Sequence, residues 1–128
     1  MKLIKTFYID VEAQKVSELH VVLRFDNFHY FLKGERITIF CLGEEAEFML
    51  YLNSQNFRRK KAGYFKLNEM SEELYPGTGL LVSLDPNFYK SLVYEDMQLE
   101  LETFKKSITF YHPNQVSDTD IKAKFKQF

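Results

Sequence analysis

The residues in this sequence with the most chemical potential are three histidines, one cysteine and a surplus of aromatics. His20, His29 and His112 form no H-x-H or H-x-x-x-H pair. A zinc site would have to be assembled from scattered ligands, whereas zinc motifs use close spacing. The simpler reading is strand or loop histidines satisfied by backbone groups. Cys41 would act as a nucleophile only with a base beside it. It lies between Phe40 and Leu42 in an apolar run, the setting of a buried and inert thiol. Glu44, Glu45, Glu72 and Glu73 are adjacent acids that point to different sides, so no general acid and base stand out. Gly77-x-Gly79 lacks the lysine and helix start that a phosphate loop needs. The expectation is a protein that is not an enzyme, with no metal and no cofactor.

Two other patterns suit binding. Arg58-Arg59-Lys60-Lys61, with Phe57 and Tyr64 beside it, has the cations to grip phosphates and the rings to stack a base. A hairpin loop kept soluble by charge accounts for the same run. The aromatics make up 16% of the chain, enough to build a core and still line a cavity. Tyr30, Phe40, Phe48 and Tyr51 are the candidates for contacting a small molecule inside a barrel, chosen on size and position. Phe40 and Phe48 serve equally as plain core.

The elements that must position these residues start with the length. At 128 residues the chain fits one domain and can bury a core without disulfide or metal staples. Its net charge of -1 disfavours a general polyanion binder. A single cysteine cannot form an internal disulfide, which points to a reducing, cytoplasmic setting. Met1-Lys2-Leu3-Ile4-Lys5 lacks the apolar run of a secretory signal, and nothing approaches the roughly 18 apolar residues of a membrane span.

Alternation predicts strands around residues 3–10, 19–25, 28–32, 37–42, 46–52, 64–67 and 80–84. Leu80 to Leu84 is apolar enough to be covered on both faces. Tyr75-Pro76-Gly77-Thr78-Gly79 is the strongest turn. The period then changes. Asp85-Pro86 starts a helix, with Phe88 and Leu92 four apart. Met97, Leu101 and Phe104 recur at helical spacing, so packed helices are expected over about 86–105. Ser107 to His112 reads extended. Ser117 caps a last helix whose apolar stripe, Ile121, Phe125 and Phe128, runs to the chain end without a stop signal. Strands followed by helices suggest a mainly β fold, an antiparallel barrel or jelly roll with C-terminal helices packed at one end.

Several of these segments, in order, carry a resemblance. They are Tyr30-Phe31-Leu32-Lys33-Gly34, Phe40-Cys41-Leu42-Gly43-Glu44, a strand ending at Asn53, and Gly79-Leu80-Leu81-Val82-Ser83-Leu84-Asp85-Pro86-Asn87-Phe88-Tyr89. Over roughly residues 20–128 the chain resembles the amino-terminal sensor domain of AraC-type transcription regulators. Pro113-Asn114 followed by the Ser117-capped helix is similar to that family too. Lys61-Ala62-Gly63 departs from it where proline-glycine is frequent, and the histidine-rich metal motif of enzymatic cupins is missing.

The resemblance implies a cupin-like double-stranded β-helix over residues 1–116 that takes a small-molecule effector. It also implies an N-terminal arm over residues 1–18 and the start of a dimerisation or interdomain helix over residues 117–128. Met97, Leu101, Ile121, Phe125 and Phe128 are the expected dimer face of a homodimer. DNA would be contacted only through a C-terminal domain outside this chain. The alternative is a stand-alone small α+β interaction protein, such as a phage inhibitor or an immunity-like protein.

Overall fold

In a computed structural model of the chain, residues 3–34, 36–44, 46–58, 63–84 and 94–115 are described. Strand β7 (Gly79–Leu84) is buried at every position, and the other layers are arranged around it. On one side it pairs with β1 (Ile4–Asp10), on the other with β4 (Phe48–Asn53), both antiparallel. β1 carries β2 (Lys15–Val21) as its hairpin partner, and β4 carries β3 (Ile37–Leu42). The order of this sheet is β2-β1-β7-β4-β3. The short β8 (Tyr94–Glu95) pairs with the far end of β7. A smaller sheet holds β6 (Leu74–Pro76), β5 (Tyr64–Leu67) and β9 (Ile108–Tyr111) in the order β6-β5-β9.

The two sheets share a core. Phe65, Leu67 and Tyr75 of the small sheet meet Phe7, Ile9, Leu50, Leu52 and Leu81 of the large one. Helix α2 (Leu101–Ser107) adds Phe104, stacked on Phe7 with ring centroids 4.8 Å apart. Each fully buried side chain of this kind contributes about 1.5–3 kcal/mol. The other face of the large sheet is covered by α1 (Phe25–Leu32), whose Phe28 and Leu32 lie on Tyr51, Leu80 and Val82. The chain is therefore mainly β, with antiparallel sheets and, among the described residues, two short α-helices.

The crossing between sheets is made by the turn after Pro76. Gly77 sits at φ 77°, a conformation costly for any residue with a Cβ. A Cβ there would also lie 2.3 Å from the Asn56 amide nitrogen.

Four expectations are corrected. The run Phe28 to Leu32 is helix, not strand. Aromatics favour strands, but Phe28 and Leu32 are one helical turn apart and are buried together, while Tyr30 between them is exposed. The described part of the expected N-terminal arm, residues 3–18, is built into the large sheet: β1 lies between two strands, with Phe7 and Ile9 fully buried. Helix does not extend over 94–100, where Met97 donates its N–H to the Lys5 carbonyl at 3.0 Å in line with the sheet. Cys41 is exposed, because β3 is an edge strand. The expected helix start at Asp85-Pro86 and the helix over 117–128 lie outside the described residues.

Candidate functional site

Between α1 and the β3 side of the large sheet runs an open groove of about 330 Å³. Its walls are Leu23, Phe28, Ile37, Ile39 and Met49, and its floor is Tyr51 and Tyr94. Strand alternation places Met49 and Tyr51 on this face, while Phe48, Leu50 and Leu52 go to the inter-sheet core. Phe28 stacks on Tyr51 with centroids 4.1 Å apart and planes 15° from parallel. It meets Tyr94 at 6.4 Å in a tilted arrangement.

The one polar feature of the floor is a pair of phenols. The Tyr51 and Tyr94 hydroxyls share a hydrogen bond, and the Tyr51 hydroxyl also donates to the Met49 sulfur at 3.5 Å. Tyr51 is only 3% exposed. Burial, then the Tyr94 hydrogen bond and charge repulsion from Tyr94 and Cys41, push its phenol well above the ordinary tyrosine value. Two hydroxyls in an apolar trough can hold a ligand with an apolar body and one polar group. They offer no base for proton abstraction at neutral pH.

The groove depends on how α1 is anchored. Lys33 ends the helix in the left-handed region, at φ 53°, and its N–H donates to the His29 carbonyl. The Asn53 amide donates to the carbonyls of Leu32 and Lys33, both at 3.2 Å, and its oxygen accepts the Gln55 N–H at 3.0 Å. Gly34 lies against that amide so closely that a Cβ would sit 2.3 Å from its nitrogen. Asn53 thus ties the end of the helix to the strand that carries Tyr51.

Of the four expected contact residues only Tyr51 is in the groove. Tyr30 is 78% exposed on the outer side of α1, edge-on to Phe31. Phe40 turns to the inter-sheet core and meets Tyr75 at 5.1 Å. Phe48 lines a separate cleft of about 290 Å³ with Glu44, Glu47, Met70 and Phe104. Met97, expected on a dimer face, is 3% exposed and accepts a hydrogen bond from Ser83 Oγ at 3.3 Å. Leu101 packs partly buried against the same core. Ile121, Phe125 and Phe128 lie outside the described residues, as do residues 59–61 of the basic run.

Sequence reasoning missed Tyr94, Phe28 and Met49. The Phe28–Leu32 spacing was the available signal for Phe28. Nothing local marks Tyr94, which meets Tyr51 across 43 positions of chain.

Among the described residues, no group of histidine, cysteine, aspartate and glutamate is placed to hold a metal ion, and no helix is long and apolar enough to cross a membrane. No family model, curated protein or solved structure matches this chain.

Proposed function

We propose that this domain is a non-catalytic sensing and association module. A small, mostly apolar effector occupies the Tyr51–Tyr94 groove, and the occupied state favours one arrangement of a homodimer. The observation that carries this is the groove itself: an apolar trough with a hydroxyl pair at its floor and, among the described residues, no acid–base pair lining it. The role is that of the sensor part of an AraC-type regulator acting in the cytoplasm, with DNA contacted by another domain. The sequence resemblance supports it.

A cupin-like jelly roll belongs to the same reading. Two antiparallel sheets facing over an aromatic core support it. The hairpins β1–β2 and β3–β4, each kept within one sheet, are where the described strands part from that pattern.

The test is thermal unfolding with 2-naphthol, a probe with an apolar body and one hydroxyl. At about ten times its dissociation constant a ligand stabilises by about 1.4 kcal/mol. The wild type is expected to melt higher with the probe. Leu23→Trp, which fills the groove from its rim, is expected to lose that shift. No shift in the wild type, or the same shift in both, would sink the assignment.

A further inference from the structure

β3 is a sheet edge: among the described strands it pairs with β4 alone. Exposed edges are usually guarded by charge, proline, bulges or shortness, because their free main-chain groups invite another strand. The opposite edge follows this rule, since β2 carries Lys15, Glu18 and His20. β3 reads Ile-Thr-Ile-Phe-Cys-Leu and carries no guard.

The register fixes which groups face outward. Ser54 donates its N–H to the Arg36 carbonyl at 2.9 Å, so Arg36 and Ser54 form a hydrogen-bonded pair. Such pairs alternate along an antiparallel ladder, so Thr38, Phe40 and Leu42 also direct their main-chain groups at β4. The N–H and C=O of Ile37, Ile39 and Cys41 therefore face away from the sheet. Ile39 is 47% exposed, and Cys41 is exposed beside it.

We propose that β3 is the seam through which two copies of this chain pair, antiparallel about a twofold axis. The charges that flank the strand are opposite in sign at its two ends, which argues for a second copy as the occupant. Arg36 stands just before the strand and Glu44 just after it, both exposed. Pairing centred on Phe40 brings the Arg36 end of each copy to the Gly43–Ala46 turn of the other, where Glu44 stands. The same register opposes Ile39 to Cys41, and the two exchange both main-chain bonds. A twofold contact requires this reciprocity. Ile39 also walls the groove, so the groove of each copy borders the seam. The inference rests on the self-association part of the proposed function and names its surface.

The test uses the full chain, with circular dichroism confirming the fold of each variant. A two-strand seam is small, so the dimer fraction in sedimentation should rise with concentration. Arg36→Glu is expected to weaken association about tenfold, and Arg36→Glu with Glu44→Arg to restore it. Ile39→Cys places a thiol opposite native Cys41 at about 5.5 Å between Cα atoms, within disulfide reach. It should give an oxidised covalent dimer that the wild type, with Cys41 diagonal to its own copy, does not. A dimer indifferent to Arg36→Glu with no such cross-link overturns the seam and leaves self-association standing. A monomer at every concentration overturns both.

Discussion

Removing the Asn53 side chain tests whether one amide holds α1 over the groove. Asn53→Ala deletes three hydrogen bonds, to Leu32, Lys33 and Gln55. Each contributes a net 0.5–1.5 kcal/mol, roughly, so the sum is about 1.5–4.5 kcal/mol. Lys33 is exposed and Gln55 is open to water, which lowers the loss at those two. Leu32 is buried, so its carbonyl bears the full penalty. The expected cost is about 2 kcal/mol, or about 4–8 °C in Tm for a domain of this size. The loss should fall on α1 first. Amide exchange across Phe25–Leu32 should speed up about 30-fold while β7 keeps its protection. Gly34→Ala supplies a second reading: its Cβ would strike the Asn53 amide, so it should cost about 1–3 kcal/mol in the wild type and much less beside Asn53→Ala. A Tm unchanged within error, or α1 exchange no faster than before, would refute the anchoring argument.

Met97→Ala should destabilise the domain by about 2–5 kcal/mol in urea unfolding, with self-association unaltered in the folded protein, because Met97 is core. The reverse pattern, unchanged stability and lost association, would return it to a dimer face. Stability should also fall in alkali. The folded state keeps Tyr51 neutral above the ordinary value of 10.0, so its contribution is intact below that pH and is lost above it, as the unfolded chain ionises. Its slope is at most about 1.4 kcal/mol per pH unit, and Tyr75 and Tyr8, both raised chiefly by burial, act in the same direction. Urea midpoints at about pH 8 and about pH 11 should therefore converge in Tyr51→Phe relative to the wild type. An equal drop in both proteins would show that Tyr51 has no part in it.

Much of the sheet was legible in the sequence because alternation is a local signal. Ile37 to Leu42, Tyr64 to Leu67 and Leu80 to Leu84 carry it plainly, and Leu84 being buried along with its neighbours is what a strand covered on both faces requires. Position within the sheet was not legible. Ile4 to Asp10 alternates like an arm or an edge, and only its pairing with Leu80 and Leu81 makes it central. Cys41 reads as buried because Phe40 and Leu42 flank it, yet being on an edge strand leaves it exposed. The groove was the least legible part. Its floor joins Tyr51 to Tyr94 and its wall is a helix whose aromatics read as strand, so one residue in the site was found from sequence and its partners were not.

Among the described strands, the hairpins β1–β2 and β3–β4 border each other in the large sheet only through β7. That strand is the last of the five to emerge in the chain, and Phe7 must wait for Leu81 across most of its length. Until β7 inserts, each hairpin keeps a bare inner edge, and β8, which carries Tyr94, has no strand to pair with. Folding is therefore committed late and by distant contacts, as in the slower class of small domains. A nascent chain short of Leu84 lacks the strand that joins the two hairpins.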